Sequence, residues 1–376
     1  MDLIPYFIVL ISLTLFLTLA RRNVITNNNI QGIVLKKYSL VGMISIIISY
    51  LIFTSFSVFR VIEFGLGGND AHNYKLIFNN ANGNVIESLS IQPYEPGYAL
   101  IIWLSRAISE DYRVALFIIY SIMFIFLINF IKYISWSKYV PISIFLLLTM
   151  WLSSFNTLRV ILAIFIGTYV YSLLFKKKYN YALLVAIIAT TIHTAAIVLF
   201  PVIAIVKIIE NRAKFRPSKL IFFIIILSGI FLLSINIIEV FISGTSYELY
   251  IEYKEGAVAL GTYIVIIISF VLSLIKFNDL VEINPYNKIL VVILPIGLSL
   301  YVLQANFSIV YRMVLFFLPI LYVLIPDLIR TFRINRTKEL IKLPIKIGLF
   351  SYLIYRIYSF WAIEIDSVGV PYIIDF

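Results

Sequence analysis

One apolar stretch constrains the topology of the whole chain: residues Tyr181 to Val206 read YALLVAIIATTIHTAAIVLFPVIAIV. These 26 residues are too many for one simple bilayer crossing, which needs about 20, and too few for two. Basic clusters flank the stretch on both sides, and basic loops of membrane proteins face the cytoplasm. They are Lys176 to Lys178 before it and Lys207, Arg212, Lys214, Arg216 and Lys219 after it. The chain must therefore enter the membrane and return, which predicts a re-entrant or broken helix over 181–206 with His193 near its turning point.

The composition excludes a water-soluble globular protein. Of 376 residues, 62% are hydrophobic and 13% are charged, whereas soluble domains average about half apolar and about a quarter charged. Divided among crossings and their loops, this length allows about 10 to 12 transmembrane helices. The sequence therefore predicts an all-α polytopic membrane protein in which residues 1–376 form a single integral membrane domain. The net charge of +11 is typical of basic cytoplasmic loops and gives no indication of nucleic-acid binding.

Basic residues set the expected orientation of the chain. Four of them place the first loop in the cytoplasm, so residues 60–95 are expected to form an external loop. They are Arg21, Arg22, Lys36 and Lys37. The segment 95–108 is too short to cross a bilayer, and we expect it to lie as an interfacial helix on the outer face. The first span, Leu3 to Ala20, lacks the features of a signal peptide and is expected to be retained.

Polar residues on the predicted outer face could carry chemistry. Asp70 follows a Gly-Gly-Asn turn, and Glu95 lies in the run Tyr94-Glu95-Pro96-Gly97-Tyr98. A carboxylate at the membrane surface can accept a proton from an alcohol, so both are candidate bases. A solvated loop for Asp70 and a helix cap for Glu95 are the alternatives.

The segment SSFNTLR, Ser153 to Arg159, interrupts two apolar runs. Arg159 then lies just inside the following helix, where free backbone amides add to its charge. A guanidinium can hold phosphate oxygens through two parallel hydrogen bonds, so Arg159 with Asn156 outlines an anion site on the outer face. A snorkelling arginine at the membrane boundary is the alternative.

Three further ionisable residues lie in apolar surroundings: His193, Arg312 and Arg356. Such groups are costly within a membrane and are functional candidates by default. His193 is a candidate base, with a histidine satisfied by Thr190 or Thr194 as the alternative. Arg312 and Arg356 are predicted to approach the same outer face, and cation–π packing on tyrosines or an ion pair is the alternative for each.

The sequence lacks the residues that several other kinds of chemistry require. The chain has no cysteine and only two histidines, which predicts no metal and no cofactor. It contains neither a GxxxxGK phosphate loop nor a GxSxG nucleophile motif, so ATP-driven work is not expected. The remaining possibility is a reaction on a negatively charged, already activated substrate that the membrane delivers.

Five elements occur in a recognisable order. They are Asp70, Tyr94-Glu95-Pro96-Gly97-Tyr98, Asn156-x-x-Arg159-x-x-x-Ala163, His193 ahead of Pro201, and Arg312 followed by Phe316-Phe317. In this order the chain resembles the EpsG/Wzy-like polysaccharide polymerases from about Asp70 to Arg312. One departure is Val160, where members often have Gln directly after the arginine, so a role of that amide is lost or supplied elsewhere.

The resemblance implies an integral enzyme of the bacterial inner membrane with a fold similar to the GT-C glycosyltransferases. Such proteins join oligosaccharide repeat units carried on undecaprenyl pyrophosphate, for O-antigen, lipopolysaccharide or other polysaccharides, on the periplasmic or outer face. The expected partners are therefore lipid-linked oligosaccharides and membrane lipids. A chain-length regulator and a flippase are open as protein partners.

The residues and the resemblance together predict one site. The cations expected to hold the pyrophosphate of the donor lipid are Arg159, Arg312 and Arg356. The candidate bases for the acceptor hydroxyl are His193, Asp70 and, ranked last, Glu95. The expected substrate contacts are Asn156, Tyr94, Tyr98 and Tyr311. The alternatives are a lipid-linked oligosaccharide flippase or transporter, an O-antigen ligase or monosaccharide-adding glycosyltransferase, and an O-acyltransferase.

Overall fold

The computed structural model describes residues 4–28, 34–63, 67–68, 70–81, 84–91, 95–135, 137–210, 222, 226, 228–230, 260–304, 310–334 and 348. These described residues fall in two units. The first unit takes its residues from Met1–Ser172 and Ile187–Thr194, and the second from Leu173–Ala186 and Ala195–Ile354.

Helices dominate the first unit, and polar residues begin several of them. Its elements are α1 (Ile4–Arg22), β1 (Val24–Asn28), β2 (Val34–Tyr38), α2 (Leu40–Val58), α3 (Ala71–Asn80), α4 (Val85–Ile91), α5 (Pro96–Ile108), α6 (Tyr112–Ile131), α7 (Val140–Ser153) and most of α8 (Leu158–Phe175). Ser39 caps α2 by accepting a hydrogen bond from the backbone N–H of Gly42. Asp111 caps α6 in the same way through Arg113. Pro96 opens α5, a position where no backbone N–H is needed.

An aromatic cluster packs α2 against α6 and α7. The rings of Phe53 and Trp151 stack with centroids 4.4 Å apart, and Trp151 Nε1 donates to Ser57 Oγ at 3.0 Å. Tyr120 packs edge to face against Phe53 at 6.2 Å. The cluster therefore holds the ends of α2 and α7 together, and the segments that follow these two helices carry site residues.

The apolar run 181–206 is interrupted once. α9 (Tyr179–Ile192) ends before His193, a 3₁₀ turn covers Thr194–Val198, and α10 (Leu199–Glu210) follows. Pro201 favours the start of a new helix at Leu199, because in a continuous helix its ring would clash with the carbonyl group of Ile197. The return of this broken helix to the same membrane face stays a prediction.

The second unit contains the remaining described helices. They are α11 (Leu260–Ile275), α12 (Phe277–Ile283), α13 (Asn287–Gln304), α14 (Val310–Val314) and, after a 3₁₀ turn at Leu315–Phe317, α15 (Leu318–Ile334). A Cβ at Gly297 would lie 2.8 Å from the ring of Phe317, so α13 approaches that turn closely. Asn287 and Asp327 join α13 to α15 through a buried hydrogen bond of 3.0 Å.

Five helical segments in the described part of the chain are long and apolar enough to cross a membrane. They are Ile4–Arg22, Leu40–Val58, Tyr112–Ile131, Leu158–Phe175 and Val310–Phe332. The shorter apolar helices are Val140–Ser153, Tyr179–Ile192, Thr194–Ile209, Ile266–Ile275 and Asn287–Leu300. The protein is thus a mostly helical, polytopic membrane protein, whereas the total of about 10 to 12 spans and the GT-C fold stay predictions.

Two predicted loops contain secondary structure. The first loop carries β1 and β2, which pair as an antiparallel hairpin because their β-branched residues favour strands. The segment 60–95 contains α3 and α4, and one face of α3 is buried through Ala71, Tyr74 and Phe78. That helical spacing of apolar residues explains why the segment is packed and not an open loop. The segment 95–108 forms α5, and its interfacial position stays a prediction.

Candidate functional site

The site centres on the carboxylate of Glu95, which directly precedes α5. The Glu95 side chain is only 6% exposed and does not cap its own helix, so the alternative of a capping role was wrong. Its Oε2 lies 2.5 Å from Arg159 Nη1, and its Oε1 lies 2.8 Å from His193 Nδ1. The imidazole Nδ1 therefore faces a carboxylate and not a threonine hydroxyl. Glu95 joins two predicted site residues from distant parts of the chain.

Close packing between α5 and the end of α9 brings Glu95 to His193. A Cβ at Gly97 would lie 2.3 Å from Thr191 Oγ1 and 3.0 Å from the Thr191 carbonyl carbon. Only glycine permits such an approach without displacing one of the two segments. Because Gly97 and Thr191 each lie two residues from the ion pair, their contact sets the separation of its two partners.

Arg159 is the second residue of α8 and enters the site beside two tyrosine rings. Its guanidinium carbon lies 5.5 Å from the ring centre of Tyr74 and 5.7 Å from that of Tyr98, within the range of cation–π contacts. Tyr98 is fully buried, whereas the Arg159 side chain keeps 25% exposure. A carboxylate and two rings thus hold Arg159, which is more than a snorkelling side chain needs. The sequence did not single out Tyr74, although it lies in the same segment as Asp70.

The surrounding charges keep Glu95 ionised. Burial raises the pKa of Glu95, but the close contact with His193 and the charge of Arg159 lower it more, so the pKa lies below its ordinary value of 4.5. The 2.8 Å separation from His193 Nδ1 is a hydrogen-bonding distance, although the ring N–H is not well aligned with the oxygen. The attraction is therefore largely electrostatic and strengthens when the imidazole gains a proton.

Asn156 fixes the turn that leads to Asp70. Its Oδ1 accepts a hydrogen bond of 2.9 Å from the backbone N–H of Asp70. Gly68 has a φ of +119°, and a Cβ there would lie 2.1 Å from the carbonyl oxygen of Phe155, so the turn needs glycine. The Asp70 carboxylate does not cap α3. The roles of Asp70 and Asn156 toward a substrate stay predictions.

The other predicted site residues are not placed in this cluster. Tyr311 and Arg312 lie on α14 in the second unit. Tyr94 and Arg356 lie outside the described residues. Roles for these four residues in binding pyrophosphate or sugar therefore stay predictions.

Arg60 is a buried cation that was not among the candidate residues predicted from the sequence. Its guanidinium donates to the carbonyl oxygens of Gly67 and Ser57 and lies 4.1 Å from the ring centre of Phe155. It therefore joins the end of α2 to the glycine turn and to the segment before α8. The available signal was a lone basic residue on the predicted outer face, where basic residues are scarce.

The cluster offers a carboxylate–imidazole pair that can move a proton and a guanidinium that can hold an anion. Within the described ranges, His, Asp and Glu side chains form no group of three that could hold a metal ion. Residues 43–373 match the model of the EpsG family. No curated protein and no solved structure matches the chain.

Proposed function

The chain belongs to the EpsG family, which indicates a polysaccharide polymerase-type function, and from this premise we propose that it is a membrane glycosyltransferase. Its substrates are oligosaccharide repeat units carried on undecaprenyl pyrophosphate. It joins these units on the outer face of the inner membrane. The orientation of the charged loops supports this face, because the basic clusters flanking 181–206 belong in the cytoplasm.

The single observation that carries the proposal is the position of Glu95 between Arg159 and His193. An ionised Glu95 facing Nδ1 orients the imidazole and stabilises it when it becomes an imidazolium. The opposite ring nitrogen, Nε2 of His193, is then the atom that takes the proton from the acceptor sugar hydroxyl. This arrangement makes His193 the general base and Glu95 its positioning residue.

Arg159 is the group suited to the pyrophosphate of the donor lipid. Its guanidinium keeps partial exposure and can bind two oxygens in parallel, as a lysine cannot. Positive charge near the leaving group lowers the barrier because negative charge develops on the pyrophosphate as the glycosidic bond breaks. Arg312 and Arg356 remain proposed additional cations.

The proposed reaction needs only the acceptor and the lipid-linked donor. The acceptor hydroxyl oxygen attacks the anomeric carbon of the donor glycan, and its proton moves to Nε2 of His193. The bond from the anomeric carbon to the pyrophosphate oxygen breaks, and undecaprenyl pyrophosphate leaves with the electron pair.

The test is a ladder assay on purified protein in lipid nanodiscs with lipid-linked repeat unit isolated from the host strain. The wild type is expected to produce a ladder of lengthening products, and Arg159→Ala is expected to produce none. The matched control is Lys276→Ala, because Lys276 also pairs with a carboxylate, at 3.4 Å, and also lies over a ring, at 5.6 Å from that of Phe332. A single added unit would indicate a ligase. No product in nanodiscs, together with transport of the lipid-linked unit across the membrane of sealed proteoliposomes, would indicate a flippase. Arg159→Lys is expected to rescue only partly, since a point charge cannot replace the bidentate fork.

A further inference from the structure

A polar pocket opens beside α3 and the connection between α5 and α6. Its volume is about 230 Å³, and its walls include Lys75, Asn79, Glu110, Tyr112 and Arg113. None of these residues belongs to the Glu95 cluster. Pockets for drug-sized ligands hold about 300–1,000 Å³, so this one suits a group as small as a single sugar ring.

The lining carries both signs of charge. The cations are Arg60, Lys75 and Arg113, and the carboxylates are Glu110 and Asp111. The Arg60 guanidinium is buried and already donates to the carbonyl oxygens of Gly67 and Ser57. The carboxylates would repel a small anion, and the cations would repel a metal ion. A hydroxyl-rich, uncharged group meets neither obstacle, because each hydroxyl both donates and accepts hydrogen bonds. The chemistry of the lining therefore favours a sugar residue.

The polar groups of the pocket are within reach of a ligand. Lys75 Nζ donates to the carbonyl of Ile62 at 3.2 Å, and an ammonium group has three donors. Asn79 is exposed, and the Glu110 side chain is 92% exposed. Tyr112 is buried and contributes an aromatic body with one polar end. Exposed donors and acceptors beside a partly apolar wall are the groups that a sugar ring requires.

Two elements connect this pocket with the Glu95 cluster. α3 contributes Lys75 to the pocket and Tyr74 to the ring contacts of Arg159. The Tyr112 ring of the pocket packs against Phe78 of α3 with ring centres 5.4 Å apart, and Tyr74 of the same helix packs at 6.1 Å against Tyr98, whose ring also contacts Arg159. A ligand in the pocket would thus rest on the same helices that surround the guanidinium.

We propose that this pocket is a sugar-binding subsite that holds one sugar residue of the glycan, away from the bond being formed. The proposal rests on the proposed function, because it takes the ligand to be part of the polymerase substrate. A subsite that holds the glycan at a distance from the reacting atoms contributes to binding and not to the chemical step. Its loss therefore raises KM and leaves kcat nearly unchanged.

The test measures binding of the free repeat-unit oligosaccharide, prepared from the host polysaccharide and lacking lipid and pyrophosphate. The protein is the full chain in lipid nanodiscs, so that no sugar-headed detergent competes. Lys75→Ala and Asn79→Ala are each expected to weaken binding about tenfold, the effect of one or two lost hydrogen bonds. Lys276→Ala is the matched control and should bind as the wild type does.

The outcomes separate the subsite from the proposed function. Weakened binding in both pocket variants, with unchanged binding in Lys276→Ala, supports the subsite. Equal binding by the wild type and both pocket variants, or no saturable binding by the wild type, overturns it. If the oligosaccharide binds in the pocket but the ladder assay gives no product from lipid-linked substrate, the subsite stands and the polymerase function fails.

Discussion

Two buried carboxylates of this protein have opposite surroundings. Glu95 in the first unit meets a guanidinium and an imidazole that come from two other segments of the chain. Asp327 in the second unit pairs with Arg330, which lies one turn further along its own helix at 3.3 Å. Its second oxygen accepts from the neutral amide of Asn287, which also donates to a backbone carbonyl.

The difference separates a cluster that contains a side chain able to take up a proton from one that ties helices together. Among the described residues, the partners of Asp327 are a neutral amide and a local cation, which tie helices together and do not take up a proton. Glu95 instead faces an imidazole, the side chain most often used to move protons. A buried carboxylate alone therefore does not indicate a site, whereas a buried carboxylate shared between an imidazole and a guanidinium does.

The largest effect is expected from His193→Ala, which removes the proposed general base beside Glu95. Loss of a general base is expected to lower the rate of ladder formation by about 10² to 10⁴. The thermal stability should change little by comparison. The measurement is the initial rate with lipid-linked repeat unit, alongside melting followed by size-exclusion chromatography. A rate within a few-fold of the wild type would remove the imidazole from the mechanism.

Asp327→Ala is expected to give the reverse pattern. Removing one partner of a buried polar cluster costs about 3 kcal/mol of unfolding free energy, the lower end of the usual range because Arg330 is 29% exposed. The rate per folded molecule should stay at the wild-type level. Melting temperature and the specific rate of the folded fraction check both parts, and a specific rate that falls as far as in His193→Ala would erase the distinction between the two carboxylates.

Gly97→Ala tests whether packing brings the Glu95 cluster together. The added Cβ would meet Thr191 and push α5 from α9, and a displacement of about 1 Å can cost about 10²-fold in rate. Pro96→Ala is the control, since it changes the neighbouring residue without adding bulk. Partial recovery in the double variant Gly97→Ala with Thr191→Ala is expected. A Gly97→Ala enzyme of wild-type rate would show that the close approach is not required.

The smallest expected effect is the pH dependence of the Glu95 ion pairs. Because the folded-state pKa is lowered from 4.5, the unfolded chain binds the proton more readily. The stability that Glu95 contributes is therefore fully present above about pH 4.5 and is lost as the pH falls through the folded-state pKa. The difference in melting temperature between wild type and Glu95→Gln should therefore persist at neutral pH and shrink below about pH 4.5. If the melting-temperature difference disappears already near pH 6, the pKa of Glu95 in the folded protein is raised above 4.5 and not lowered.

Composition and charge were enough to predict a polytopic helical protein, because crossing a bilayer demands long apolar runs and basic loops mark one face. The packed helices of 60–95 were missed, since short amphipathic helices give a weaker pattern than spans. Length and loop charges together predicted a re-entrant or broken helix over 181–206, and α9 ends at Ile192, whereas the return to the same membrane face stays a prediction.

The individual residues of the proposed site could be predicted from the sequence for a similar reason, but their arrangement could not. A charged group in apolar surroundings stands out one residue at a time, as Arg159 and His193 do. That Glu95 joins them depends on contacts between distant segments, and no local period reports such contacts. Glu95 was accordingly ranked as a base, and the proposal instead assigns it the positioning of His193, because it contacts both His193 and Arg159.

The most direct measurement is a double-mutant cycle on Glu95→Gln and His193→Ala, with ladder formation followed through a radiolabelled sugar so that residual rates remain measurable. If Glu95 acts through His193, the double variant is as slow as His193→Ala and no slower. If the two reductions in rate multiply instead, the residues act independently. The carboxylate–imidazole pair is then not the unit that moves the proton.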